Sequence, residues 1–180
     1  MQGGKLAGVL LSVGLFGASA AIAAPFLTST NLGPVRVGMT LEQARKALGT
    51  PLHYKPDDPG HPECGHAQRP DAGGAGVHYM VEKGRITRIE VWPVDVDPVA
   101  RLSAATTAKG VGLGATETQV KFAYGAALKV QAAPYNGEAH WLILDDQDKR
   151  HGIVFETSKG RVTSFWSGRY PSLTYSEGCL

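Results

Sequence analysis

Between Val37 and Gly49 the apolar residues Leu41, Ala44, Ala47 and Leu48 recur at helical spacing. Thr40-Leu41-Glu42-Gln43 opens this stripe as T-x-x-Q, a capping box in which the threonine hydroxyl and the glutamine side chain each satisfy an orphan amide. Gly49 sits where a left-handed cap needs a residue without Cβ, and Pro51 stops the helix from resuming. The same pattern returns at Thr116-Glu117-Thr118-Gln119, followed by Val120, Ala123, Tyr124 and Gly125. Met39 with Ala44, and Ala115 with Val120, occupy the two places of a hydrophobic staple. The spacing predicts two short helices of about two to three turns each.

Strand patterns follow each helix. Residues 77–82 and 85–92, rich in β-branched and aromatic residues, flank Lys83-Gly84 as a hairpin. Residues 152–157 and 161–166 flank Ser158-Lys159-Gly160, and residues 141–144 form a further strand across the polar turn 145–149. Alternation along the second strand places Thr87, Ile89 and Val91 on one face. Ile86, Arg88, Glu90 and Trp92 fall on the other, whose mixed composition marks it as the exposed side. The proline- and glycine-rich stretch 56–76 reads as a long loop. Residues 93–110 read as a linker, with one helical turn near 100–105.

Two matches share one offset. Val37 lines up with Leu113, and Lys83-Gly84-Arg85 with Lys159-Gly160-Arg161, each 76 residues apart (113 − 37 and 159 − 83). Gly38, Thr40, Gln43 and Gly49 thereby meet Gly114, Thr116, Gln119 and Gly125. The expected fold class is α+β, two tandem repeats over 24–96 and 97–180, each a short helical segment packed on an antiparallel β-sheet. The repeated motif residues have capping and turning jobs, so their role is read as structural.

The extreme N-terminus changes the picture. Lys5 precedes the apolar run Leu6–Phe16 and the small residues Gly17–Ala24, the order of a secretory signal, and Ala21-Ile22-Ala23 places the cut after residue 23. What remains is periplasmic or secreted. Its two cysteines, Cys64 and Cys179, are an even count, which in an oxidising compartment reads as one disulfide. The competing reading is a metal site around His61-Pro62-Glu63-Cys64-Gly65-His66. The formal net charge of +2 for the whole chain, with no Lys/Arg-rich run, gives no sign of nucleic acid binding.

Motifs for chemistry are missing: no G-x-S-x-G elbow, H-E-x-x-H helix, phosphate loop or dinucleotide fingerprint. Asp145, Asp146 and Asp148 suggest a calcium turn but lack the glycine and distal glutamate of an EF-hand loop. No cofactor, metal or catalytic residue is assigned, and the chain is read as not an enzyme. The functional signal is aromatic: Trp92, Tyr135, Trp141, Trp166 and Tyr170 fall on or beside predicted strands, with Arg88 among them. Such residues anchor protein interfaces.

Residues 35–52, VRVGMTLEQARKALGTPL, resemble the signature stretch of the SmpA/OmlA-type outer-membrane assembly lipoproteins. The Gly-Met-Thr-x-x-Gln core is also similar to the motif of β-lactamase inhibitory protein, which consists of two tandem copies. The resemblance implies helices packed on an antiparallel sheet. The chain departs from both: no cysteine stands at the mature N-terminus, and each half holds one cysteine rather than a disulfide of its own. The resulting expectation is a non-enzymatic module that binds another envelope or extracellular protein, in the manner of an inhibitor. The alternatives are an envelope assembly or scaffolding factor, and a small-molecule or glycan-binding module. No membrane span is expected once the signal is removed.

Overall fold

The structure is a computed structural model that describes residues 26–71, 76–94 and 105–179. The expected signal segment lies outside the described residues, as do Gly73-Gly74-Ala75, most of the expected helical turn near 100–105, and the boundary between the expected repeats. In chain order the elements are β1 (Phe26–Leu27), β2 (Asn31–Leu32), β3 (Val35–Arg36), α1 (Leu41–Leu48), β4 (His53–Pro56), β5 (Cys64–Gln68), β6 (Val77–Glu82) and β7 (Arg85–Val91). Then come β8 (Thr106–Thr107), α2 (Glu117–Tyr124), β9 (Leu128–Ala133), β10 (Asn136–Asp145), β11 (His151–Ser158) and β12 (Arg161–Arg169). A 3-10 turn, Ser172–Thr174, begins the C-terminal segment.

The α+β expectation is overturned. The protein is predominantly β, with one eight-stranded sheet in the order β4-β5-β6-β7-β12-β11-β10-β9 and a small sheet β3-β2-β1-β8. Among the described residues the two α-helices have only eight residues each. The expectation underweighted the strands because part of the presumed loop 56–76 is β5. Proline-rich edges and a strand glycine disguised it. Pro56 ends the edge strand β4, and Gly65 packs so tightly on its neighbour that a Cβ would stand 2.2 Å from the Lys55 carbonyl oxygen. Glycine composition here signals close backbone approach rather than a turn.

Local bonding is alike in the two halves. Thr40 accepts from the Gln43 amide and the Gln43 side chain accepts from the Thr40 amide; Thr116 and Gln119 form the same box. Arg85 donates to the Gly38 carbonyl at 2.9 Å, and Arg161 to the Gly114 carbonyl at 2.9 Å. The Gly38 amide donates to Ile86 O at 2.7 Å and the Gly114 amide to Val162 O at 2.8 Å. The C-caps differ: Gly49 closes its helix in the left-handed conformation (φ 65°, ψ 21°), whereas Gly125 has φ 60° with ψ −140°, outside that region.

A β-bulge interrupts each hairpin, between Met80 and Val81 and between Glu156 and Thr157. It corrects the alternation read from sequence. Met80 faces Arg88 while Val81 faces Ile86, so Thr87 is the extra residue and Ile86 joins Ile89 and Val91 on the core face. Arg88 and Glu90 do not stand exposed on the other face; both are buried.

The main core lies on the helical side of the sheet, where Ala44 and Val120 seat the helices over Ile89, Phe155 and Phe165. A smaller cluster on the opposite side gathers Trp141, Ile143, Val154 and Trp166 around Leu173. The C-terminal segment thus crosses the second face as a strap. It is fastened at its end by the Cys64–Cys179 disulfide, 115 residues apart in sequence. Gly152 makes room for it, since a Cβ there would meet a Leu173 methyl at 2.8 Å and the Leu144 carbonyl oxygen at 2.7 Å.

Candidate functional site

Beside the strap, the second face of the sheet forms a cleft of ≈ 1080 Å³. Its floor comes from β5, β6, β7, β10, β11 and β12, and one wall from Tyr175–Gly178. The join between halves, where Glu90 pairs with Trp166 across β7 and β12, runs through its centre.

A chain of charged groups occupies the first half of the floor. Arg88 Nη2 lies 2.7 Å from Glu90 Oε1, and Glu90 Oε2 lies 3.2 Å from His66 Nε2. His66 Nδ1 lies 2.9 Å from Asp57 Oδ1. The Arg88–Glu90 and Glu90–His66 contacts are ionic pairings rather than aligned hydrogen bonds. Arg88 also donates to the Tyr175 carbonyl at 2.8 Å and stacks over Trp166 at 4.7 Å from the ring centroid. Gly168 on β12 lets it pass, because a Cβ there would meet Arg88 Cγ at 2.7 Å.

Burial disfavours the charged form of His66, but the carboxylate of Glu90 and then that of Asp57 outweigh it, and its pKa is raised. His78 goes the other way: burial lowers its pKa, against Glu90 and with the help of His66. His78 stacks on Trp92 at 4.5 Å between centroids. Burial also lowers the Arg88 pKa, opposed by the charges of Glu90, Glu156 and Glu82.

The other half of the floor is aromatic. Trp141 and Trp166 meet edge to face at 5.4 Å. Trp166 Nε1 donates to the Leu173 carbonyl at 2.8 Å, which holds the strap down. Trp141 Nε1 donates to Glu156 Oε1 at 3.3 Å, and Ser164 Oγ donates to Glu156 Oε2 at 2.9 Å.

Of the residues singled out from sequence, Arg88, Trp92, Trp141 and Trp166 converge on this cleft. Trp92 is the exposed one at 36%, whereas Trp141 and Trp166 are buried in its floor. Tyr135 and Tyr170 do not line it. Tyr135 is 85% exposed at the β9–β10 turn. Tyr170 packs against the smaller cluster and donates to Asp145 Oδ1 at 2.7 Å; burial, then that carboxylate, push its pKa up to about 12. Gly38, Thr40, Gln43 and Gly49, with Gly114, Thr116, Gln119 and Gly125, lie at the helix ends and outside the cleft. Sequence reasoning missed His78, Asp57, Glu156 and the strap, and it named His66 only as a candidate metal ligand. Only the strand register brings them together.

The metal reading of 61–66 fails on two counts. Cys64 is bonded to Cys179, and the histidines are taken by carboxylates, His61 by Asp58 at 2.9 Å and His66 as above. Among the described residues, Asp146, Asp148 and His151 bring ligand atoms within 4.8 Å of one another, so these three could hold a cation at the β10–β11 turn. A second polar cluster lies by α2, where Glu117 accepts from Thr157 at 2.7 Å, faces His140 Nδ1 at 2.7 Å and pairs with Lys121 at 3.1 Å. Burial opposes the charge of Glu117, but these hydrogen bonds prevail and hold its pKa down at about 2.

No protein-family model matches the chain, and no curated relative matches it. A solved structure of an extracellular protein containing a SCP domain, from Bacillus anthracis, aligns with a TM-score of 0.45 at 10% identity. The alignment covers 88% of this chain and 50% of that one, so the chain spans about half the length of that protein. No helix among the described residues is long and apolar enough to cross a membrane.

Proposed function

We propose that this chain is an exported, non-enzymatic binding module, built as a tandem duplication, whose cleft grips a protruding segment of another envelope or extracellular protein. The observation that carries this reading is the convergence of three tryptophans with the Arg88–Glu90 pair on one cleft. Tryptophan and arginine dominate the energetics of protein interfaces. The cleft volume of ≈ 1080 Å³ lies at the top of the range for small-molecule pockets and leaves room for a loop. The duplication rests on the bonds that recur at the same offset in both halves. Export rests on the signal-like N-terminus and on the disulfide, a bond that persists in oxidising compartments. The inhibitor-like role rests on the Gly38–Gly49 motif and on the sheet face held open beside the strap.

The test is capture from envelope and extracellular extracts on immobilised protein, run with two variants. Trp92→Ala alters the cleft; Phe122→Ala alters α2 on the other side of the sheet, where Phe122 is 93% exposed. One stoichiometric protein lost with Trp92→Ala and kept with Phe122→Ala supports the reading. The reverse pattern refutes it.

A further inference from the structure

Glu156 differs from the other carboxylates of the cleft floor. Glu90 faces Arg88 and His66, and Asp57 faces His66. Glu156 has only neutral donors, the Trp141 indole and the Ser164 hydroxyl, one on each oxygen. Among the described residues no ion pair reaches it. A carboxylate oxygen offers two acceptor positions, so each oxygen of Glu156 keeps one free. The two donors fix the plane of the group within the cleft lining.

The surroundings favour a cation. Asp57, Glu90, Glu156 and Glu177 line the cleft against Lys55 and Arg88. Arg88 attracts Glu156 by charge but makes no ion pair or hydrogen bond with it; its terminal nitrogens reach Glu90 and the Tyr175 carbonyl, and its plane lies over Trp166. Its charge still raises the cost of a second cation nearby, but Glu90 already faces that charge, and Glu177 adds a further carboxylate to the lining. A planar guanidinium matches two parallel acceptors on one carboxylate better than an ammonium does.

We infer that Glu156, held by Trp141 and Ser164, is the receptor for an arginine side chain presented by the bound partner. This deepens the binding-module reading and rests on it. An arginine reaching Glu156 would lie against the tryptophan floor and reduce the acidic excess of the cleft lining.

The test uses the tripeptide acetyl-Gly-Arg-Gly-amide and its uncharged isostere with citrulline in place of arginine. Both are titrated into the oxidised protein while the indole N–H resonance of Trp141 is followed by NMR. The arginine peptide is expected to shift that resonance saturably and to bind at least tenfold more tightly than the citrulline peptide. Glu156→Gln keeps the shape and, with its folded spectrum intact, is expected to erase the difference. Ser164→Ala, which frees one oxygen of Glu156 without removing its charge, is expected to keep the preference for arginine. Equal binding of the two peptides, or an undiminished preference in Glu156→Gln, overturns the assignment. Because the peptides report on Glu156 alone, a negative result here beside a partner lost with Trp92→Ala rejects the arginine receptor and leaves the binding module standing.

Discussion

The two halves of the sheet share a frame and invert its lining. Met80 and Glu156 precede the same bulge, opposite Arg88 in the first half and Ser164 in the second. Across the neighbouring strand, His66 pairs with Met80 as Trp141 pairs with Glu156. Further along, Glu90 pairs with His78 as Trp166 pairs with Val154. So His66, His78, Arg88 and Glu90 of the first half stand where the second has Trp141, Val154, Ser164 and Trp166, while Met80 stands where the second has Glu156. The backbone bonds that build each half are held in common, and the side chains facing the cleft are not. Two surfaces of opposite character meet along β7 and β12, with a buried Arg88–Trp166 contact joining them. The helical face shows the reverse economy: there both halves contribute apolar residues to one core.

The strap belongs to neither half of this pattern, and removing its anchor should have the largest effect. In the loop-entropy model a bridge closing more than 100 residues contributes about 4 to 5 kcal/mol. Cys179→Ser is therefore expected to lower the guanidinium unfolding free energy by about that amount, less any native strain. Reductant should reproduce the loss in the natural chain. A midpoint unchanged by either treatment would show that the strap adds nothing to the frame.

The next test concerns the inverted lining. Glu90→Ala leaves Arg88 buried without its closest counter-charge, which costs about 3 to 5 kcal/mol for a buried pair. Replacing both, Arg88→Met with Glu90→Leu, removes the stranded charge and is expected to recover most of that loss. Urea denaturation of the single and double variants decides it. If the double variant is the less stable of the two, the charged lining supports the fold rather than the cleft.

A third difference between the halves appears in acid. Glu117 opens α2 where Leu41 opens α1. With its pKa held at about 2, below the ordinary 4.5, Glu117 contributes stability that is present above pH 4.5 and is lost as pH falls through about 2. Glu117→Gln is expected to flatten this part of the stability–pH curve, read from melting temperatures across that window. A curve equally steep in the variant would assign the acid loss elsewhere.

The smallest effects test the shared frame. Thr40→Ala and Thr116→Ala each remove a side-chain cap, at about 1 kcal/mol. Similar losses are expected because both boxes make the same two bonds to the backbone, the Thr116 hydroxyl adding only a contact to Gln119 Oε1 at 3.2 Å. A loss confined to one half would break the equivalence of the two units.

These tests also mark what could be read from the chain alone. The caps were legible because Thr40-x-x-Gln43 and Gly49 act within a few residues of themselves. The hairpins at Lys83-Gly84 and Lys159-Gly160 were legible for the same reason, with left-handed backbone at both residues of each turn. β5 was hidden because Gly65 and Pro56 carry turn composition while serving close strand pairing. The bulge at Thr87 was hidden too, since an extra residue leaves no mark on a period of two, and it returned Ile86 to the core. Arg88, Trp92, Trp141 and Trp166 stood out by type. His66, Glu90 and Glu156 acquire their meaning only from partners brought close by strand register and bulge.

The most direct test of the cleft as the binding surface is amide hydrogen exchange of the oxidised protein, alone and saturated with the partner retained in the capture experiment. New protection is expected at residues 53–57, at 78 and 92, and along the strap at 175–178, with α2 unchanged. Protection confined to α2 and the small sheet, with the cleft residues exchanging as in the free protein, would contradict the account.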